Sequence, residues 1–133
     1  KYLPLKSNFV IGNIIYSIIK KKKIVLKSNK NILRSYMYAD DLANILIKIL
    51  FSSKKKYVSY DIGSTDIISI QKISRFFSKK YNLKLDIKKK ENIIKKDEYF
   101  PNIMNIYPNF KPKFHKSLDA IKKTIDELGS SNI

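Results

Sequence analysis

The chain has 133 residues, enough for about one domain with a real core, and 44% of them are hydrophobic, including nine tyrosines and seven phenylalanines. It contains no cysteine and one histidine, His115, which excludes disulfides, a thiolate nucleophile and a Cys-ligated metal, and argues against a histidine metal site within one chain. The net charge of +17 comes from 28 basic and 11 acidic residues and is nearly all lysine, accompanied by abundant Ile and Asn, three Gly and no Trp, as drift in an AT-rich coding sequence would produce.

The lysines cluster at 20–23, 54–56 and 88–90, between predicted elements, without the arginine, glycine or aromatic residues that nucleic-acid binders place among basic ones. Nucleic acid is therefore not the expected partner. The most apolar runs, Phe9 to Ile19 and Leu42 to Phe51, fall short of the roughly 20 residues a bilayer needs and contain polar residues, and no signal peptide is evident. A soluble, cytoplasmic protein with no membrane partner is the expectation. The chain opens on Lys1 rather than methionine, which suggests a segment of a longer coding sequence.

In chain order, the apolar spacing of Phe9, Val10, Ile14, Ile18 and Ile19 predicts a helix from Asn8 to about Lys20, ending in positive charge that suits a helix C-terminus. Lys23 to Lys27 reads as a strand, Ser28 to Asn31 as a turn and Leu33 to Tyr38 as a second strand. A helix over Asp41 to Phe51 follows, its inward face set by Leu42, Ile45, Leu46, Ile49 and Leu50. After a lysine loop, Tyr57 to Ile62 reads as a strand closed by Gly63 and Ser64. Ile67 to Ser69 is a short extended piece leading into a helix from Ile70 to Tyr81, with Ile70, Ile73, Phe76, Phe77 and Tyr81 at helical spacing. Leu83 to Ile87 reads as a strand, Lys88 to Glu98 as a polar loop and Ile103 to Tyr107 as a short helix. A last helix spans Ser117 to Leu128 and stops at Gly129. Short hydrophobic strands alternating with amphipathic helices give an α/β domain with four or five helices, and no repeat or linker divides it.

The most informative stretch is Leu33 to Leu46, where an arginine opens an aromatic strand that runs into Asp40 and Asp41 and then an apolar-periodic helix. Either carboxylate can cap the free N–H groups of that helix, which makes a capped core helix the plain reading of the pair. Arg34 is one of only two arginines, with Arg75. Its planar fork suits a diphosphate better than an ammonium does, and its alternative is a strand-end charge paired with a neighbouring acid.

The succession Phe9-Val10-Ile11-Gly12-Asn13, Ile24-Val25-Leu26, Arg34-Ser35-Tyr36-Met37-Tyr38-Ala39-Asp40-Asp41-Leu42-Ala43, Tyr60-Asp61-Ile62-Gly63-Ser64 and Tyr99-Phe100-Pro101-Asn102 resembles the C-terminal part of NAD-dependent epimerase/dehydratases. So does the closing Ser117-Leu118-Asp119-Ala120-Ile121-Lys122-Lys123-Thr124. The resemblance covers nearly the whole chain, and its nearest branch is the dTDP-glucose 4,6-dehydratases and epimerases. It implies the substrate-domain portion of an extended Rossmann-type dehydrogenase, with residues 1–133 as a single nucleotide-sugar-binding unit. It also implies that Arg34 grips the diphosphate, that Asn13 and the strand Val25, Leu26 and Lys27 lie near the nucleotide, and that Tyr99 lies near the nucleotide or sugar. Departures from the family pattern are Ser28-Asn29-Lys30 in place of a glycine-rich turn, Asp61 in place of asparagine, and Glu98, which would repel a phosphate, in place of a basic residue.

The family's chemistry is hydride transfer with NAD(P), assisted by a tyrosine base in Tyr-x-x-x-Lys and a glycine-rich turn that holds the cofactor pyrophosphate. With only Gly12, Gly63 and Gly129 in 133 residues, no such turn exists here. Tyr-x-x-x-Lys occurs at Tyr2/Lys6, Tyr16/Lys20 and Tyr107/Lys111. About two matches are expected by chance, and none is assigned a catalytic role. The expected cofactor of the complete enzyme is NAD(P), with none bound by this chain alone, and a separate N-terminal cofactor-binding half is a candidate partner. Two rival readings are a small lysine-rich protein that binds nucleic acid or anionic surfaces, and an interaction remnant with an exposed apolar face.

Overall fold

The computed structural model describes residues 4–5, 9–54, 57, 59–88, 97–101 and 113–130. Along these run α1 (Val10–Ile19), β1 (Ile24–Leu26), β2 (Ile32–Ser35), α2 (Ala39–Ser52), β3 (Ile67–Ser69), α3 (Ile70–Lys80), β4 (Leu85–Ile87), β5 (Asp97–Tyr99) and α4 (Ser117–Ser130).

Two segments fold by the same local rule. In α1 the stripe Ile14, Ile15 and Ile18 turns inward, and in α3 the stripe Ile70, Ile73 and Phe77 does the same. Ser69 caps α3, its hydroxyl accepting from the Lys72 N–H at 3.2 Å. Each helix ends in a Schellman motif. Lys21 N–H donates to Ile18 O and Lys22 N–H to Ser17 O, and Asn82 N–H donates to Lys79 O and Leu83 N–H to Ser78 O. Both motifs need a left-handed residue, and Lys21 and Asn82 supply it at φ 50°. The chain thereby reverses into β1 and β4, which pair in parallel with Ile24 opposite Leu85 and Leu26 opposite Ile87. Ile24 and Leu26 are buried while Val25 faces out, the period of two that a strand imposes.

A second sheet has the order β3-β2-β5. β2 runs antiparallel to β3, Arg34 opposite Ile68, and parallel to β5, Arg34 opposite Tyr99. Ile14, Ile15, Ile18, Ile24, Ile68, Ile73, Phe77, Ile121 and Ile125 form the core between these sheets and α1, α3 and α4. Asp66, from the turn before β3, fixes α4: its carboxylate accepts from the Ser117 N–H at 2.6 Å and its carbonyl from the Ser117 hydroxyl at 3.0 Å.

Several sequence expectations are corrected. The strand expected over Tyr57 to Ile62 does not form: Tyr57 lies in a bend and residues 59–62 have no ladder. A strand needs a neighbour for its N–H and C=O groups, and β3 takes that edge of β2 instead. The expected loop to Glu98 ends in β5, a strand without apolar alternation to announce it. The strand expected to reach Tyr38 stops at Ser35, and α2 begins at Ala39 with Tyr38 as a cap residue making no side-chain cap bond. Asp40 and Asp41 sit inside the first turn rather than capping it. The expected inward face of α2 contributes only Ile45 as a buried residue, while Leu42, Leu46, Ile47, Leu50 and Phe51 are exposed, Phe51 by 84%. α2 makes no extensive contact with another described helix or strand. α4 runs past Gly129 to Ser130, since Gly129 there costs only helix propensity. The helix expected over Ile103 to Tyr107 lies outside the described residues. No helix among the described residues is long and apolar enough to cross a membrane.

Two exchanges at glycine-sensitive positions should have opposite signs. A Cβ on Gly12 would clash with the Pro4 carbonyl oxygen, so Gly12→Ala should lose about 1–3 kcal/mol despite alanine's better helix propensity. Lys21→Gly relieves a left-handed non-glycine residue and should gain about 1 kcal/mol. Urea denaturation of both variants checks the pair of signs.

Candidate functional site

β2 delivers Arg34 and Ser35 to the wall of a cavity of about 1060 Å3, and the next three residues, Tyr36, Met37 and Tyr38, continue that wall to the start of α2. Val10, Ile11 and Ile15 of α1 and Ile121 of α4 supply its apolar surface, with Thr124 and Glu127 of α4 adding polar groups. The size and the balance, mostly apolar with a few convergent polar groups, suit a small organic ligand.

Arg34 donates through Nη1 to the carbonyls of Leu33 at 2.8 Å and Asp97 at 2.9 Å, and through Nη2 to the Asp97 carboxylate at 2.8 Å. The pairing with a neighbouring acid, the alternative open for this arginine in the sequence, is thus present; Arg34 lines the cavity, whereas Asp97 is not among the lining residues. Tyr36 is half-buried. Burial pushes its hydroxyl up to about 12, against the pull of the Arg34 charge, so the phenol is a neutral hydrogen-bonding group rather than a base. The buried Tyr38 donates its hydroxyl to Glu127 Oε1, a bond that, with burial second, raises its pKa. Its ring lies 5.2 Å from that of His115 and 4.4 Å from the Lys123 ammonium, a cation–π contact. His115 in turn donates its N–H to Asp41 Oδ2 at 2.8 Å and sets ring Nδ1 3.0 Å from the same oxygen. Asp41 therefore ties the approach to α4 onto the first turn of α2.

The six binding residues expected from sequence separate in space. Arg34 and Tyr99 are sheet partners, although Tyr99 is 80% exposed and is not among the residues lining the cavity. Asn13 is half-buried on α1, away from the lining. Val25 and Leu26 belong to the other sheet and Lys27 follows it in a bend, with Leu26 buried in the core and Lys27 exposed. Tyr36, Tyr38, Thr124, Glu127 and Asp97 are the site residues that sequence reasoning missed. The aromatic run that follows Arg34 was a legible signal for the first two, whereas nothing local marks Asp97.

Gly12 lies within α1 against Pro4, Gly63 packs on the Pro101 ring and Gly129 lies within α4, so none forms a strand-to-helix turn where a pyrophosphate could meet free N–H groups. The one described Tyr-x-x-x-Lys pair, Tyr16 and Lys20, is away from the cavity lining, and Tyr16 carries the Lys22 ammonium 5.8 Å from its ring centroid.

No protein-family model matches the chain. No curated protein matches it significantly. Solved structures do match. A GDP-L-fucose synthetase from Naegleria fowleri bound to NADP is similar at TM-score 0.72 and 16% identity, over 96% of this chain and 41% of that one. A dTDP-glucose 4,6-dehydratase from Bacillus anthracis in complex with NAD is similar at TM-score 0.72 and 12% identity, over 92% and 39%. A UDP-N-acetylglucosamine 4-epimerase from Bacillus cereus is similar at TM-score 0.71 and 19% identity, over 92% and 40%. The chain thus spans about two-fifths of the length of these structures. At such identities the likeness is one of fold: the mixed α/β arrangement is shared with part of each of these synthetase, dehydratase and epimerase chains.

The Tyr36 phenol gives the site a pH signature. It keeps its proton up to about 12 in the folded chain, against 10.0 ordinarily. Between those values the folded state binds more protons than the unfolded state, so stability is full below 10 and falls as pH rises through the window. Tyr38 and Tyr81 shift in the same direction. Tyr36→Phe should therefore remove part of the alkaline loss, which denaturation at stepped pH would show as a shallower slope. An unchanged slope would take Tyr36 out of the buried wall.

Proposed function

We propose that these 133 residues are the nucleotide-sugar-binding portion of an NAD(P)-dependent epimerase or dehydratase. The observation that carries this reading is a ligand-sized cavity with an arginine on its wall, in a fold shared with enzymes named for GDP-, dTDP- and UDP-linked sugars. Arg34 meets the diphosphate, the apolar walls from α1 and α4 receive the base or sugar, and the neutral Tyr36 hydroxyl donates or accepts a hydrogen bond. Tyr99, one strand over from Arg34, is within reach of a ligand that extends out of the cavity, and Asn13 and Val25 to Lys27 have the weakest support.

Hydride transfer is the work of a cofactor-binding portion carried by residues outside these 133, since the chain offers no pyrophosphate turn. The state of α2 supports such a partner. It is apolar around most of its circumference, a pattern that belongs to a helix covered on more than one side, yet it buries Ile45 alone.

A second reading, a polyanion-binding protein, is favoured by the basic face of α3, where Lys72, Arg75 and Lys79 border a shallow cleft of about 670 Å3. It requires affinity that collapses with salt and ignores nucleotide-sugars.

Titration calorimetry with UDP-, GDP- and dTDP-linked sugars tests the first reading. Arg34→Ala should weaken binding by about 1.5–3 kcal/mol, the range of a charge-assisted contact. Unchanged affinity in a variant whose circular dichroism is native would remove Arg34 from the site.

A further inference from the structure

The three hydrogen bonds of Arg34 are of two kinds. Nη1 is held by main-chain carbonyls, those of Leu33 at 2.8 Å and Asp97 at 2.9 Å, whose positions follow from the parallel pairing of β2 with β5. Nη2 is held by the Asp97 carboxylate at 2.8 Å. The carbonyls belong to paired strands and stay where they are. The carboxylate is on a short rotatable side chain that is 50% exposed, next to an Arg34 side chain that is 25% exposed.

A carboxylate and a phosphate offer a guanidinium the same thing, a pair of anionic oxygens in or near one plane. An ion pair with this much solvent contact adds little to folding, so its exchange for another anion is cheap. We propose that Asp97 occupies the phosphate subsite of Arg34 in the free protein and that a bound diphosphate displaces it, which makes Asp97 a determinant of ligand affinity and selectivity. The inference rests on the reading that Arg34 meets a diphosphate. During the exchange Nη1 keeps both carbonyls, so the guanidinium stays aimed and only the Nη2 partner changes. The ligand must outcompete a resident negative charge, and groups with too little charge, such as a neutral sugar, leave Asp97 in place.

Calorimetric titration of uridine, guanosine and thymidine diphosphates into the wild type, Asp97→Asn, Arg34→Ala and the double variant tests this. Asp97→Asn should bind whichever diphosphate the wild type prefers about three- to tenfold more tightly, the range set by losing one partly exposed competitor. The double variant should fall back to the affinity of Arg34→Ala alone, because without the guanidinium there is nothing to compete for. Asp97→Ser, which also keeps the main-chain bonds of β5 and removes the charge, should behave as Asp97→Asn does, with circular dichroism confirming the fold of each. If Arg34→Ala weakens binding but neither Asp97 variant strengthens it, the competition is overturned while the diphosphate reading stands. If no diphosphate binds, or Arg34→Ala changes nothing, the diphosphate reading fails and the competition fails with it.

Discussion

Strand β2 has only four residues, and both of its edges must find partners. β3 satisfies one edge antiparallel and β5 the other in parallel. A central strand with unpaired N–H or C=O groups would cost more than these short ladders gain, so the two pairings are obligatory rather than optional. Their consequence is positional. They place Arg34 between Ile68 on the core side and Tyr99 on the outer side, bring the Asp97 carboxylate to the guanidinium, and end at Ser35 so that Tyr36 to Tyr38 leave the sheet and turn along the cavity.

Around that strand, two helix–Schellman–strand units hold the scaffold. α1 with β1 and α3 with β4 lie side by side because β1 and β4 pair in parallel, and their isoleucine stripes meet Phe77 in one core. α4 closes the arrangement and serves two ends at once. Ile121 and Ile125 pack into the core, while Thr124 and Glu127, on the adjoining face, reach the cavity. Cavity and core therefore share one helix, which is anchored at its start by Asp66 and along its length by the Tyr38–Glu127 bond.

The electrostatics of the site contrast with those of the chain. The chain carries a surplus of 17 positive charges, yet the arginine of its cavity wall is paired with Asp97 and the phenols there are held protonated by burial and hydrogen bonding. The polar character of the site thus rests on one ion-paired guanidinium and on neutral phenols beside an apolar wall. Where the lysines do gather on a helix, along α3, they face solvent away from this cavity.

The sequence by itself determined the elements whose causes are adjacent in the chain. The helical spacing of Ile70, Ile73 and Phe77, the alternation of Ile24 and Leu26 and the break before Ile67 are all read within a few residues, and α1, α3, β1 and β3 appear within a residue or two of where that spacing puts them. Arg34 stood out because guanidinium chemistry is a property of one side chain. What lies beyond local reach was decided by the tertiary structure. β5 has no apolar period, so Asp97 could become the partner of Arg34 only once β2 offered an open edge 63 residues earlier. The segment from Tyr57 to Ile62 alternates like a strand, but its described residues find no ladder, and α2 has an apolar face of which only Ile45 is buried. Periodicity records which side chains avoid water; which partner removes them from it is a long-range fact that no short window of sequence contains.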